Sequence, residues 1–316
     1  MENEEQNPVR GGILGLVVGD ALGVPVESVS REALRREPVT GMRGYGTYHQ
    51  PPGTWSDDSS LTLCTADALC EGYAPERIAR RFVDWLYGNA WTAHGDVFDV
   101  GITSAEAIGR LQHGVPHHRA GASGEFSNGN GSLMRILPLA FYLRHNDRAG
   151  WFEPVREVSA ITHAHLRSAL ACLYYVHFAA HLCAGAAPEA AYRRSNEDFQ
   201  AALRRHDIPG DEAAHLSRIL DGGIDRLAEH DISSTGYVIH TLEASLWCLL
   251  HATSYRETVL RAVNLGHDAD STAAVAGGLA GIAFGHRDIP EEWLAQIAGL
   301  DRIEALIARF GEKYGG

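Results

Sequence analysis

The sequence has little of what a β-sheet protein, a nucleic-acid-binding protein or a disulfide-rich protein needs. Alternating patterns of Val, Ile and Thr are scarce. The 27 Lys and Arg residues are outnumbered by 40 Asp and Glu, and a formal charge of −13 argues against a broad phosphate-binding surface, so we expect no nucleic acid partner. The five cysteines have no CxxC or zinc-type spacing, which indicates core thiols in a reducing compartment.

The sequence also lacks patterns that predict export or membrane insertion. Its first residues, MENEEQNPVRGG, have neither the basic n-region nor the apolar h-region of a signal peptide. The most apolar long segment, residues 166–185, carries Arg167, His177 and His181 and therefore fits a buried helix better than a membrane span. We expect a cytoplasmic protein with no membrane partner.

Ala- and Leu-rich stretches with helical spacing recur along the whole chain, and 45% of the residues are hydrophobic. This pattern predicts an all-α fold in which residues 1–10 are a flexible tail and residues 11–316 form one compact helical domain. Two longer irregular stretches, 36–58 and 113–131, interrupt the helices and are candidates for functional loops. The predicted helices cover residues 11–23, 59–72, 75–87, 101–112, 132–144, 166–184, 187–204, 211–228, 236–251, 254–263, 269–284 and 300–311.

Two helix starts share an arrangement of acids and hydroxyls, WSDDSSLTLCTADAL at 55–69 and HDADSTAAVAGGLAG at 267–281. Helix capping alone explains part of this, since a hydroxyl cap and negative charge both favour a helix N-terminus. Capping needs one acceptor, however, and each segment offers two carboxylates at the head of an apolar helix. Like charges about 4 Å apart repel by about 4 kcal/mol at an effective dielectric near 20. Protonation or a cation relieves that repulsion.

If the two helix heads face each other, their oxygens form a cage that suits a hard divalent ion, and the number of carboxylates is enough for two. Asp20, inside the first apolar helix, is interpreted as a structural acid hydrogen-bonded to neighbouring backbone. Glu27 follows Pro25, where that helix ends, and alone would be an ordinary surface acid.

Six motifs in order, GLVVGDALGVPVE, WSDDSSLTL, FDVGIT, SNGNGSLMRILPLA, ITHAH and GHDADSTAAVAGGLAG, resemble those of the ADP-ribosylglycohydrolases. The resemblance covers residues 11–285. It implies an all-α bundle with a central pair of Mg²⁺ or Mn²⁺ ions. The metal ligands that it implies are Ser56, Asp57, Asp58, Asp268, Asp270 and Ser271.

This chain departs from the family pattern at three positions, two of them among these ligands. Serines at 56 and 271 replace the family's threonines, and a serine hydroxyl can still coordinate a metal. His267 stands where the family has glycine, so it either narrows the site or adds a substrate contact. The family's acid after the glycine-rich helix falls on Glu27.

Further resemblance implies the substrate-binding residues. Asp99 falls near the distal ribose, with a helix cap as its ordinary alternative. The glycines of the loop at 127–132 permit close approach to a phosphate, although by itself this is an ordinary Gly-rich turn. His163 is expected near the diphosphate and Tyr237 near the adenosine, each with core packing as the alternative. The loop residues implied are Ser127, Asn128, Gly129, Asn130, Gly131 and Ser132.

The function implied is metal-dependent hydrolysis of the bond between ADP-ribose and a protein side chain, most simply arginine, with Glu27, Asp57 and Asp99 as the catalytic acids. The substrate would be an ADP-ribosylated protein and the product ADP-ribose. The alternatives are another ADP-ribosyl linkage (serine, nucleic acid or small molecule), a non-catalytic ADP-ribose-binding module, or a helical phosphohydrolase suggested by His267-Asp268. The last class needs further histidine ligands that the acid-rich segments do not supply.

Overall fold

The computed structural model of the protein describes residues 7–315, and over this range the secondary structure is helical. The described residues contain no strand, only the isolated bridges between Ala122 and His163 and between Gly129 and Tyr237. The prediction of an all-α fold is therefore confirmed.

Seventeen α-helices lie within the described range, joined by short 3₁₀ turns. They are α1 Pro8–Gly23, α2 Arg31–Arg36, α3 Asp57–Leu69, α4 Pro75–Gly88, α5 Ile102–Gln112, α6 His117–Ala120, α7 Leu137–Leu143, α8 Phe152–Ala160, α9 Leu166–Cys183, α10 Pro188–Arg205, α11 Gly210–Ala214, α12 Ser217–Leu220, α13 Val238–Leu250, α14 Tyr255–Asn264, α15 Ala269–Phe284, α16 Glu291–Leu294 and α17 Leu300–Tyr314. The 3₁₀ turn that matters most for the site is Val24–Val26, which continues directly from α1.

The centre of the fold is the pair α1 and α15, whose backbones touch. A Cβ atom on Gly19 would lie 2.1 Å from the carbonyl oxygen of Ala273, and one on Gly277 would lie 2.3 Å from that of Gly15. Only glycine allows this approach, because any side chain at these positions would separate the helices. The contact fixes the head of α15 against the C-terminal half of α1, where Asp20 lies.

The segment Pro8–Val26 is long and apolar enough to cross a membrane by length and composition alone. In the fold, 94% of its most apolar window is buried against other helices. Its apolar surface is therefore accounted for by the protein core, as expected for a central helix.

Several predicted boundaries were wrong. Helix α1 begins at Pro8, capped by the side chain of Asn7, so residues 8–10 are not part of a flexible tail; residues 1–6 lie outside the described residues. The helix predicted over 132–144 begins only at Leu137, because Pro138 lies in its first turn and cannot continue a helix from the preceding residues. The helix predicted over 211–228 is two short helices and a 3₁₀ turn, separated around Gly222 at φ +72°. Four short helices, α2, α6, α8 and α16, were not predicted.

Candidate active site

The N-terminal ends of α3 and α15, the two helix heads, meet in the interior of the protein. The Ser271 hydroxyl donates to Asp58 Oδ2 at 3.2 Å, joining residues 213 positions apart. Oxygen atoms of Asp20, Asp58 and Asp270 lie within 4.8 Å of one another, and so do those of Glu27, Asp268 and Asp270. The arrangement on which the metal hypothesis depends, two acid-bearing helix heads facing each other, is therefore present.

The carboxylates in this cluster are crowded enough to resist ionisation. Burial first, and then the neighbouring Asp99 and Asp20, raise the pKa of Asp57 well above its usual value. Burial, Asp58 and Asp268 do the same to Asp270. Burial and Glu27 raise the pKa of Asp268 to about 6, even though the Asn130 amide opposes this. A cation held among these carboxylates would favour their ionised forms.

Two carboxylate oxygens in the cluster are buried without any hydrogen-bond partner, Asp58 Oδ1 and Glu27 Oε2. An orphaned buried oxygen is costly in a folded protein, and a bound cation would satisfy it. The donors are carboxylate and hydroxyl oxygens, the ligands that hard divalent cations prefer. The residues present therefore fit a divalent metal centre of the kind that the sequence implies.

A cavity of about 640 Å³ opens onto this cluster, large enough for a nucleotide-sized ligand. No lysine or arginine is among its lining residues. An anionic ligand in this cavity would therefore depend on backbone amides, helix N-termini and bound cations for its charge balance. The predicted site residues that line it are Glu27, Asp57, Asp99, Gly129, Asn130, Gly131, His163, His267, Asp268, Asp270 and Ser271.

Ser56 and Asp58 are buried one layer behind the cavity wall, at 2% and 1% exposure. The Ser56 hydroxyl lies 2.9 Å from Asp20 Oδ1 and 3.2 Å from Asp58 Oδ2. Asp57, by contrast, reaches the cavity and accepts a hydrogen bond from the Gly101 amide at 3.4 Å, at the start of α5. Adjacent residues of one motif thus face different sides of the cluster.

Glu27 and Asp99 come from two further loops that line the cavity. Glu27 follows the 3₁₀ turn at the end of α1, and the next residue, Ser28, has a left-handed backbone, φ +64°, with its amide donating to the His267 carbonyl at 2.6 Å. Asp99 is half-buried, and burial together with Glu27 raises its pKa to about 7. Glu27 thus joins the carboxylates at the start of α15, and Asp99 lies close enough to Glu27 to feel its charge.

The glycine-rich loop, residues 127–132, is joined to the start of α13 by two backbone hydrogen bonds. The Asn130 amide donates to the Gly236 carbonyl, and the Val238 amide donates to the Asn128 carbonyl. A Cβ on Gly131 would lie 2.7 Å from the His163 ring and 2.9 Å from the Ser104 hydroxyl, so glycine is required there. The loop can therefore bring its backbone close to a ligand.

The side chain of Asn130 is turned toward an acid. Its Nδ2 donates to Asp268 Oδ2 at 2.6 Å and to the Thr241 hydroxyl at 2.9 Å. Asn130 was predicted to bind substrate; it lines the cavity, and its amide also holds one of the cluster carboxylates.

Four residues predicted to bind substrate do not line the cavity: Ser127, Asn128, Ser132 and Tyr237. Asn128 is occupied by the Glu125 carbonyl and the Ser168 hydroxyl, and the Ser132 hydroxyl accepts from Ser159. The Tyr237 hydroxyl lies 3.3 Å from His215 Nδ1, and its ring packs edge-on against His240.

His163 lines the cavity and is almost fully buried. Its Nδ1 pairs with the Thr162 hydroxyl at 2.8 Å, and burial, with the nearby Arg135, lowers its pKa to about 3. The imidazole is therefore neutral at neutral pH. It can form a hydrogen bond with a ligand but contributes no positive charge to the binding of a phosphate.

Several residues that line the cavity were not predicted from the sequence. They are Ser28, Gly101, Ile102, Thr103, Ser104, Met134, Thr235 and Gly236, and most adjoin a recognised motif, which was the available signal.

Tyr48, a residue near the cavity rather than one of its lining residues, gave no such signal. It lies beside Glu27 and Asp99, and burial followed by those carboxylates raises its pKa above the usual value. Its loop places Tyr45 and His49 in left-handed conformations at φ +62° and +55°, a strain typical of functional sites.

Comparison with known proteins agrees with this geometry. The model of the ADP-ribosylglycohydrolase family matches residues 1–316. ADP-ribosylarginine hydrolase Tri1 of Pseudomonas putida (strain GB-1) is 33% identical over 304 residues, which cover 94% of this chain and 76% of that protein. ADP-ribosyl-[dinitrogen reductase] glycohydrolase of Rhodospirillum rubrum is 29% identical over 293 residues, 91% of this chain and 89% of that protein.

Among solved structures, an ADP-ribosylglycohydrolase-related protein complex matches with a TM-score of 0.80 at 30% identity, covering 97% of this chain and 98% of that chain. The matched region covers nearly the whole of this chain. This chain therefore belongs to the ADP-ribosylglycohydrolase family and is a glycosidic-bond hydrolase.

Proposed function

We propose that the protein removes ADP-ribose from arginine side chains of modified proteins, with two Mg²⁺ or Mn²⁺ ions held between α3 and α15. The observation that carries the proposal is the cluster of carboxylates with orphaned oxygens, Asp58 Oδ1 and Glu27 Oε2, beside a cavity of about 640 Å³. The choice of arginine rests on similarity to proteins named ADP-ribosylarginine hydrolase.

The residues that would hold the two ions are those of the helix heads, Ser56, Asp57, Asp58, Asp268, Asp270 and Ser271. When bound, divalent ions in such a site lower the pKa of water and grip substrate hydroxyls. Serine in place of threonine at 56 and 271 keeps the hydroxyl oxygen that coordination needs.

Glu27 serves as the proton acceptor for the attacking water. Its Oε2 accepts no hydrogen bond within the protein, and the residue lines the cavity, so this oxygen is the one that can take the proton from a bound water. Asp99, on a separate loop, stabilises the positive charge that develops on the distal ribose as the glycosidic bond breaks, as carboxylates do in other glycosidases. Asp57 also lines the cavity.

The far part of the ligand lies against the glycine-rich loop. The loop backbone at Gly129 and Gly131, the N-terminus of α5 and the neutral His163 supply hydrogen bonds to the diphosphate. His267 stands at the rim, where it contacts the substrate. We also propose that the enzyme acts on modified protein, because its acidic composition disfavours binding to nucleic acid. Its five cysteines are free thiols, which supports the proposal that it works in the reducing cytoplasm.

Mass spectrometry of the products from defined linkages tests this function. An ADP-ribosylated arginine peptide should release free ADP-ribose and the unmodified peptide; a chelator should stop the reaction and added Mn²⁺ should restore it. Cleavage confined to serine-linked or nucleic-acid-linked ADP-ribose would replace the arginine assignment. Tight ADP-ribose binding with no cleavage of any linkage would favour a binding module, and phosphate release from nucleotides would favour a phosphohydrolase.

A further inference from the structure

Asp20 is a fully buried acid that lies beside the proposed metal ligands on a different helix from all of them. It is 0% exposed in α1, and its carboxylate lies within 4.8 Å of oxygens of Asp58 and Asp270. A buried carboxylate in such surroundings needs several hydrogen bonds to remain there.

Those hydrogen bonds all come from the first turn of α3. The Ser56 amide donates to both oxygens of Asp20, at 3.1 and 3.0 Å, and the Ser59 amide donates to Oδ2 at 3.0 Å. The Ser56 hydroxyl donates to Oδ1 at 2.9 Å and the Ser59 hydroxyl to Oδ2 at 2.5 Å. A carboxylate has about four acceptor positions, so these contacts leave none for a metal ion.

The contacts replace the usual cap of α3. In an ordinary helix start, the side chain of the capping residue accepts a hydrogen bond from the amide two or three positions later. Here Ser56 is the capping residue, and its hydroxyl makes only a long contact, 3.3 Å, with the Asp58 amide. The Ser59 amide, three positions after the cap, is bound by Asp20 from α1 instead.

The replacement of the usual helix cap by Asp20 has two consequences for the cluster of acids. The acids at the start of α3 are not needed as caps, so Asp57 is free to face the cavity and Asp58 keeps one oxygen unpartnered. The Ser56 hydroxyl lies closer to Asp20 Oδ1, at 2.9 Å, than to Asp58 Oδ2, at 3.2 Å, and its oxygen accepts only the long contact from the Asp58 amide. A hydroxyl oxygen has two lone pairs, so one is left for a cation. Meanwhile α1 is locked against α15 through Gly19 and Gly23, the latter with a Cβ position only 2.3 Å from Asp270 Cα.

We propose that Asp20 is a positioning residue which caps α3 from α1, sets the distance between the two helix heads and orients the Ser56 hydroxyl for metal binding. The inference rests on the proposed function, since it assumes that the cluster binds divalent ions. It assigns Asp20 no contact with the metal or the substrate.

The test measures Mn²⁺ dissociation constants by titration calorimetry for wild type, Asp20→Asn and Ser59→Ala, with Ser60→Ala as the matched control. The Ser60 hydroxyl bonds the Ser56 carbonyl and does not touch Asp20. Loss of an outer-shell partner typically weakens metal binding about 10- to 100-fold, which we expect for Asp20→Asn. Ser59→Ala, which removes one hydrogen bond and no charge, should weaken binding by roughly 3- to 10-fold. Ser60→Ala should bind Mn²⁺ as wild type does.

Thermal unfolding in the presence of a chelator separates positioning from stability. The inference is supported if Ser59→Ala binds Mn²⁺ more weakly while its metal-free melting temperature stays close to that of wild type, and if excess Mn²⁺ restores its kcat. It is overturned if Asp20→Asn and Ser59→Ala keep the wild-type Mn²⁺ affinity, whatever happens to their melting temperatures. If Asp20→Asn does not fold, the comparison of Ser59→Ala with Ser60→Ala decides. Failure of the wild type to bind Mn²⁺ would instead overturn the metal site itself.

Discussion

The heads of α3 and α15 carry nearly the same acids and hydroxyls, yet the protein holds them in different ways. The α3 head is fixed from inside the core by Asp20, through five hydrogen-bond contacts. At the α15 head, the side chain of Asp268 makes no capping hydrogen bond with the backbone of its own helix. Its carboxylate is held by Asn130 from the glycine-rich loop, and its amide donates to the Ser234 carbonyl.

The difference follows the position of each head relative to the cavity. On α3 only Asp57 reaches the cavity, while Ser56 and Asp58 are buried behind it; on α15 Asp268, Asp270 and Ser271 all line it. One head is therefore anchored by core packing and the other by loops that also form the cavity wall. Changes in the loops should disturb the α15 head while leaving the α3 head in place.

Removing one acid from each head should have the largest effect. Asp57→Asn and Asp270→Asn should each lower kcat/KM on an ADP-ribosylated arginine peptide by at least about 100-fold and weaken Mn²⁺ binding, because metal polarisation contributes several kcal/mol to such reactions. Steady-state kinetics and calorimetry measure both effects. Asp84→Asn, on the exposed face of α4, is the control and should behave as wild type. Wild-type activity in either site variant would contradict the metal site.

The acids around the cavity are buried and repel one another when no cation is bound, which predicts a pH dependence of stability. The pKa of Asp268 is raised to about 6 and that of Asp99 to about 7. A carboxyl group whose folded pKa is raised stabilises the fold below its unfolded pKa near 4, and that contribution is lost as pH rises through the folded pKa. The melting temperature of the chelator-treated protein should therefore fall by several degrees between pH 5 and pH 8.

Saturating Mn²⁺ should remove most of this slope, and at 100 times its dissociation constant it should stabilise the fold by about 2.7 kcal/mol. Scanning calorimetry at several pH values, with and without Mn²⁺, measures both effects. A chelator-treated protein that becomes more stable from pH 5 to pH 8 would show that the clustered acids do not repel as described.

Asn130→Ala should loosen the α15 head alone. It removes the 2.6 Å hydrogen bond to Asp268, and loss of such an outer-shell contact is expected to raise the Mn²⁺ dissociation constant by about 10-fold. Thr241→Val removes the other partner of the same amide and should have a smaller effect. Calorimetric titration compares the two; equal affinities for Asn130→Ala and wild type would mean that the loop does not hold the head.

The smallest effect is expected at His267, where the family has glycine. His267 has a left-handed backbone, φ +59°, which costs a non-glycine residue roughly 1 kcal/mol, but glycine adds a similar entropy to the unfolded chain. His267→Gly should thus change the free energy of unfolding by less than about 1 kcal/mol, measured by urea denaturation.

Gly266→Ala is the informative comparison for that change. Gly266 is also left-handed, φ +73°, and a Cβ there would lie 2.7 Å from the Arg31 amide and from the Val29 carbonyl. Its substitution should destabilise the protein clearly more than His267→Gly does. Similar values for the two variants would show that the turn before α15 is not as tightly packed as described.

The sequence by itself determined the all-α class, the main long helices and the two acid-bearing segments. These are local properties. Helical periodicity, helix-ending glycine and proline residues, and charges at helix starts can all be recognised from residues that are close together in the sequence. Short helices such as α8 escaped prediction because a few turns of helix are stabilised mainly by their packing. The role of Asn130 was missed because its partner, Asp268, lies 138 residues away.

Only the tertiary structure decided which oxygens meet. Sequence spacing could not show that Asp20 caps α3, that Asp58 faces Ser271, that Tyr48 lies beside Glu27, or that Asn128 and Ser132 turn away from the cavity. Each of these contacts joins segments that are distant in the sequence and meet only in the folded protein. Coordination and catalysis depend on distances of a few ångströms between such segments, and those distances exist only after the core has packed.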